Sequence, residues 1–265
     1  MLAPNILFED ADILIIDKPA GLIVNRADTT INQPTVQKWA EKYLQIRSTK
    51  SEARNKSQII NSNDKNSFEF RNSNFEFINR GGIVHRLDKE TSGILIIARS
   101  AESFENLQKQ FKEGRVKKTY IALCHGEIKP STGEINIPIG RLPWNRMRFG
   151  VLPQGREARS KYKVLSIKHK VSNGEREPLS LVEVYPETGR THQIRVHMQY
   201  IGHPIFADEL YAGRKVSKRD RKILPRHFLH ASKIRFIHPG TGETMELESP
   251  LSPELQEFLK TLKSA

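Results

Sequence analysis

Residues 82–97 read Gly82-Ile83-Val84-His85-Arg86-Leu87-Asp88-Lys89-Glu90-Thr91-Ser92-Gly93-Ile94-Leu95-Ile96-Ile97. Arg86, Asp88 and Lys89 sit between two apolar runs, and both Ile83 to Leu87 and Gly93 to Ala98 have the length and branched composition of buried strands. Charges between buried strands need partners. Two accounts stand on residue chemistry alone. Asp88 caps a neighbouring backbone at a strand end and pairs with Arg86, or it is a carboxylate held for chemistry. His85 with Asp88 makes only two metal ligands with no third nearby, which argues against a metal there.

Working outward, Ile6 to Glu9 and Asp12 to Asp17 read as short strands, followed by a turn at Lys18-Pro19-Ala20-Gly21. Pro34 opens a helix whose apolar positions Val36, Trp39, Ala40, Tyr43 and Leu44 keep helical spacing. Ser48 to Ser67 is rich in Ser, Asn and Lys and reads as a flexible insertion. Phe104, Leu107 and Phe111 mark a helix closed by Gly114. Two long hairpins are expected: Thr119 to His125 with Glu134 to Ile139, and Ser160 to Ile167 with Leu179 to Tyr185. Thr191 to Ile201 reads as a short helix with Ile194, Met198 and Ile201 on one stripe. Ser252 and Pro253 open a last helix carrying Leu255, Phe258, Leu259 and Leu262. Strand pairs with interspersed helices predict an α+β fold, a mainly antiparallel mixed central sheet with flanking helices, as one domain over 1–265. No internal repeat is visible.

The chain has 265 residues, 37% hydrophobic and 28% charged, with mean hydropathy −0.54, which is a globular composition. No apolar run approaches the ~18 residues of a membrane span, and Met1 to Phe8 is too short for a secretory signal. The single Cys124 excludes an intrachain disulfide and multi-thiolate metal sites, in keeping with a reducing cytoplasm. Lys and Arg number 43 against 30 Asp and Glu, a net charge of +13. Three stretches hold the excess. Lys109 to Lys118, Arg141 to Lys170 and Gly213 to Arg235 together carry 23 basic and three acidic residues, and the remainder is net acidic. Such segregation predicts a phosphate-binding face, because neutralising phosphates releases condensed counterions.

Several chemistries are excluded by their motifs. Gly150 to Arg156 lacks the Lys and Ser or Thr of a phosphate loop, and no Gly-x-Gly-x-x-Gly occurs. His192 and His197, five apart on a helix, cannot share a metal. Ser92 lacks the glycines of a nucleophile elbow.

The segment His85-Arg86-Leu87-Asp88 with Thr91-Ser92-Gly93 closely resembles the signature of the RluA family of RNA pseudouridine synthases. Lys118-Thr119-Tyr120-Ile121-Ala122-Leu123 is similar to that family's second motif, and Pro186-Glu187-Thr188-Gly189-Arg190-Thr191-His192-Gln193-Ile194-Arg195-Val196-His197 to its third. His203-Pro204-Ile205, Asp208, Tyr211, Leu229-His230-Ala231 and Phe236-Ile237-His238-Pro239 continue the pattern in order. Ala207 departs from it, since a glycine commonly precedes the aspartate. The family's small N-terminal RNA-binding domain is not expected, because the resemblance begins near Met1.

What the resemblance implies is isomerisation of uridine to pseudouridine in ribosomal RNA or transfer RNA. Asp88 would be the catalytic residue, expected as the nucleophile, with attack on ring C6, attack on the ribose carbon and removal of the ribose 2′ proton all open to it; Tyr120 would lie against the base, and Arg190 would pair with Asp88. Arg86, with His85 beside it, would reach into the stack vacated by the flipped base, and Ile194 would wall the pocket. From the charge segregation, the stretches Arg141 to Lys170 and Gly213 to Arg235 are expected to line the cleft's rim, with Arg214, Lys218 and Arg219 on RNA phosphates. The reaction neither oxidises nor adds anything, so no cofactor and no metal are expected, nor a membrane partner; a monomer is expected. A non-catalytic RNA-binding protein is the alternative reading, and a metal-dependent nuclease would want more clustered carboxylates than Asp88 and Glu90.

Overall fold

A computed structural model describes residues 3–26, 33–44, 75–172 and 175–264; the insertion expected at 48–67 lies outside them. Ten strands form one sheet in the order β1 (Asn5–Glu9), β2 (Ile13–Lys18), β3 (Ser92–Ala98), β10 (Leu229–Ile237), β4 (Lys117–His125), β9 (Glu175–Pro186), β8 (Arg159–Ser172) and β12 (Lys263–Ser264). Off this path, β11 (Thr244–Glu248) pairs with β10 and β5 (Thr132–Asn136) with β8. Among the described strands only β3 and β10 run parallel, and the rest pair antiparallel. A separate hairpin joins β6 (Ile139–Leu142) and β7 (Asn145–Val151).

Strand periodicity explains why Ile13–Ile16 of β2 and Ile94–Ala98 of β3 are apolar on both faces. Ile13, Ile15, Ile94, Ile96 and Ala98 pack with Phe104 and Leu107 of a helix on one face. Leu14, Ile16, Leu95 and Ile97 pack with Val36 and Ala40 of another on the opposite face. Those helices are α1 (Val36–Tyr43) and, after a short α2 (75–80), α3 (Ala101–Lys112). Each is capped at its N-terminus, by Thr35 Oγ1 on the Lys38 amide and Ser100 Oγ on the Ser103 amide, both at 3.1 Å. A third cluster joins β4 and β9 to α4 (Gln193–Tyr200) and α6 (Pro253–Thr261) through Leu123, Val182, Ile194, Met198 and Phe258. The remaining helix is α5 (Arg214–Asp220).

Two sequence expectations are corrected. Ile83 to Leu87 is not a strand; only Ile83 bridges to Ile97, and the run then turns away as a loop. Strands β4 and β5 do not pair with each other. Ala122, Leu123 and Cys124 of β4 are fully buried, which demands neighbours on both edges, and β9 and β10 supply them. The largely exposed β5 fits an edge, beside β8.

Candidate active site

The loop 85–91 is pinned at both ends by backbone that only glycine can supply. Gly82 has φ +75°, and a Cβ there would lie 2.2 Å from the Ala98 carbonyl oxygen. At Gly93, with φ +111°, a Cβ would lie 2.3 Å from the Ala231 carbonyl oxygen across the parallel β3–β10 pair. From below, the wholly buried Lys18 donates its Nζ protons to the carbonyls of Pro19 (2.9 Å), Leu22 (3.0 Å) and Lys89 (3.1 Å). Burial and the neighbouring Arg226 charge draw its ammonium down to about 7, against the pull of Asp88 and Asp17. Lys18→Met would leave those acceptors short of a donor, at a cost of about 1–3 kcal/mol. We expect a lower Tm and, because Lys89 adjoins Asp88, a fall in kcat; unchanged thermal unfolding would contradict this role for Lys18.

On its other side the loop is held by the segment 221–230. Glu90 accepts from Arg221 Nη2 at 2.6 Å, and its carbonyl from Arg226 Nη1 at 2.9 Å. Thr91 Oγ1 bonds His227 Nε2, and Ser92 Oγ bonds both His230 Nδ1 and Arg226 Nη2, each at 2.9 Å. Arg221, Arg226, His227 and His230 therefore act together as the clamp for the Asp88 loop.

Asp88 Oδ2 accepts from Arg195 Nη1 at 3.1 Å. The same guanidinium grips Asp208 with two bonds, Nε to Oδ2 at 2.7 Å and Nη2 to Oδ1 at 2.9 Å. Asp208, fully buried, also accepts the amides of Leu210 (3.0 Å) and Tyr211 (3.1 Å). Burial alone would raise the Asp88 carboxyl, but the charges of His192, Arg195 and His227 and the Arg195 hydrogen bond bring it below its usual value. Of these, Arg195 is charged throughout the physiological range, so Asp88 is ionised at neutral pH.

Arg190 does not take that place. It lies before α4, where its Nε donates to the Glu157 carbonyl at 2.8 Å and its amide to Gln193 Oε1 at 2.9 Å. Left-handed backbone at His192, φ 56°, turns the chain into α4 so that Arg195 faces Asp88. The signal that could have found it was Asp208: a buried acid in the continuing pattern requires an arginine, and Arg195 lies thirteen residues before it. Ala207, the departure from the family pattern, adopts φ 60°, the left-handed conformation that suits the expected glycine.

Asp88 opens into a cleft of about 640 Å³. Tyr120 lines it from β4, where it stands opposite Ala231 and Val184 on the neighbouring strands. Burial and the Asp88 charge raise its hydroxyl, which stays protonated. Ile194 is a wall of the cleft and part of the core at once. Arg86 is exposed at the cleft. His85 also reaches it, but its ring stacks on Phe111 at 4.6 Å and Nε2 accepts the Ile96 amide at 2.9 Å. Burial and the Lys118 charge draw it to about 3, so it is a neutral anchor of the loop. Arg80, Lys112, Lys118, Arg156, Arg159 and Arg190 complete a cationic lining.

Residues 12–200 match the family described as RNA pseudouridylate synthase. The chain belongs to this family. A ribosomal large subunit pseudouridine synthase D of Nitrosomonas europaea is 36% identical over 98% of this chain and 65% of its own length. A ribosomal large subunit pseudouridine synthase C of Vibrio parahaemolyticus is 39% identical over 69% of this chain and 56% of its own. The chain thus spans about half to two thirds of these relatives. Among solved structures, human RNA Pseudouridylate Synthase Domain Containing 1 superposes with TM-score 0.68 at 26% identity, covering 99% of this chain and 89% of that one. The RluA resemblance read from the motifs, and the α+β fold read from the strand pairs and helices, hold.

In this synthase fold the basic stretches divide. Arg156 and Arg159 of the second stretch line the cleft, whereas no basic residue of 213–235 does. Arg219 is paired bidentately with Glu177 (2.6 and 2.9 Å), Arg221 with Glu90, and Arg226 with Ser92 and Glu254 (2.9 Å). This stretch, expected at the cleft's rim, supplies none of the basic lining: Arg219, Arg221 and Arg226 tie it to other segments, while Arg214 and Lys218 stay exposed on α5. Among the described residues Asp10, Asp12 and His238 cluster with metal-ligand spacing. His238 Nδ1 accepts the Gly240 and Thr241 amides, and Nε2–H donates to Asp10 at 2.7 Å. That cluster is accounted for by hydrogen bonds, with no lone pair on His238 left for an ion. No described helix is long and apolar enough to cross a membrane.

Proposed function

We propose that this chain isomerises uridine in RNA to pseudouridine, with Asp88 as the nucleophile and Arg195 keeping it ionised and aimed. The reading rests above all on one observation, the Asp88 carboxylate held by Arg195 beside Tyr120 in a cation-lined cleft of a pseudouridylate synthase fold. In the reaction the bond between ribose C1′ and ring N1 breaks and one between C1′ and C5 forms. C5 loses a proton and N1 gains one, so atoms and electrons balance without an oxidant or co-reactant. The target base must leave its stack to enter the cleft, and Arg86 would occupy the gap. Tyr120 offers a flat face to the base. Ribosomal RNA is the first substrate to try, transfer RNA the second, with a monomer in the cytoplasm as the working form.

Incubation with unmodified ribosomal and transfer RNA in the presence of chelator, followed by mapping of pseudouridine, tests this reading. Site-specific pseudouridine on intact chains is expected; binding without modification, or strand cleavage, would overturn it. Salt dependence should separate the basic groups. If Arg156 and Arg159 each contact a phosphate, alanine at both should reduce the slope of log affinity against log salt by about 1.4 for single-stranded contacts. Alanine at Arg214 and Lys218 should flatten the slope and weaken binding, as peripheral contacts, leaving the rate for bound RNA little changed. A slope unmoved by the Arg156 and Arg159 pair would put the RNA path outside this cleft.

A further inference from the structure

Beside Asp88 stands a histidine whose ring is fixed from every side. His192 has left-handed backbone, φ 56° and ψ 20°, a strained conformation for a residue with a side chain. Its ring meets Tyr211 (5.7 Å) and Phe149 (5.5 Å) edge to face. Nδ1 lies 2.9 Å from the Tyr211 hydroxyl, and Nε2 lies 4.0 Å from Asp88 Oδ1. The Phe149 amide on β7 donates to that same hydroxyl at 3.0 Å.

The proton positions follow from this chain of contacts. The Tyr211 oxygen accepts from the Phe149 amide, so its one proton is free to point at His192 Nδ1. Nδ1 is then an acceptor, and the ring proton sits on Nε2, facing a carboxylate oxygen. The other tautomer would leave the hydroxyl proton without an acceptor and set the Nε2 lone pair against the Asp88 charge. Both ends of the ring therefore select Nε2–H. Besides Asp88 and Tyr211, the charged or titratable groups Arg195, Asp208 and His227 act on this ring. Burial, the largest influence, draws it down to about 4, so it is neutral at pH 7.

We propose that His192 is a positioning residue, locked by Tyr211 as the Nε2–H tautomer, whose neutral donor steadies Asp88 Oδ1 while Arg195 holds Oδ2. This rests on Asp88 being the nucleophile. A neutral donor suits that role, because it restrains rotation of the carboxylate without adding a second cation that would blunt its nucleophilicity. At 4.0 Å the donor stands just beyond bonding distance of the oxygen. A small rotation of the carboxylate on substrate entry would close that gap. Phe149 places the relay at the root of the β6–β7 hairpin, so the hairpin's seat and the carboxylate's orientation are mechanically joined.

The experiment has a part independent of turnover. In wild-type protein labelled with 15N at histidine, long-range proton–nitrogen spectra at pH 7 should show His192 protonated on Nε2 and bare on Nδ1. Tyr211→Phe should admit the Nδ1–H form. His192→Phe should lower kcat by about tenfold to a hundredfold with KM little changed, as expected for a misaimed reacting group. His192→Gln, whose amide can donate from a similar position, should recover part of that loss. A wild-type Nδ1–H spectrum overturns the proposal even if the variants misfold. So does a folded His192→Phe protein with kcat within about twofold of wild type, a change too small for a misplaced nucleophile. An active Asp88→Asn protein would instead remove the reading beneath it, while the His192 spectrum would still report its tautomer.

Discussion

Asp88→Asn is expected to fold, to bind RNA as tightly as the wild type, and to form pseudouridine at least about a thousandfold more slowly. Asparagine keeps an oxygen that can accept from Arg195 Nη1, so the loop pinned by Gly82, Gly93 and Lys18 has no reason to move. What disappears is the carboxylate's negative charge, and with it the nucleophile. Among the described residues no other carboxylate stands in the same position. Glu90 points away to Arg221 and His227, and Glu187 is engaged by Lys161 at 2.8 Å. Quantifying pseudouridine in single-turnover reactions decides the matter; activity within tenfold of wild type would eliminate Asp88 as the nucleophile.

Arg195→Met should be the most destabilising single change at the site. It strips Asp88 of its partner and leaves Asp208, with no exposed surface, as a buried charge held only by amides. Breaking a buried pair in this way costs about 3–5 kcal/mol, or roughly 6–20 °C in Tm for a domain of about this size. Activity should be lost as well. The two effects are separable, because Arg195→Met with Asp208→Leu removes the stranded charge and should restore much of the stability without restoring turnover. A single variant that melts within about 1 kcal/mol of wild type would contradict the buried network, since surface changes rarely exceed that size.

Acid should attack the same region. Glu90 is depressed to about 2: burial, which opposes ionisation, is outweighed by hydrogen bonds and charge from His227 and Arg221. A depressed carboxyl stabilises the fold above its unfolded value, here 4.5, and the contribution is lost as pH falls toward 2. Denaturant midpoints should therefore decline over that window, and Glu90→Gln should flatten the decline.

The sequence alone determined whatever depends on local pattern. The apolar runs of β2 and β3 and the helical spacing of α1 and α3 are statements about residues near one another in the chain. Asp88 was legible because a charged cluster between apolar runs has few explanations, and the motifs around it supplied one. Tertiary structure decided which partner each group met. The third motif contains both Arg190 and Arg195, and only the left-handed turn at His192 settles that Arg195 faces Asp88. Ile83 to Leu87 has the composition of a strand, yet it became a loop because Gly82 and Gly93 press against Ala98 and Ala231, contacts invisible to periodicity. The Gly213 to Arg235 stretch looked like a phosphate face, but Arg219, Arg221 and Arg226 found Glu177, Glu90 and Glu254 from distant segments. Charge and hydropathy are properties of one residue, whereas an ion pair or a sheet neighbour belongs to two, and the second is chosen only when the chain closes on itself.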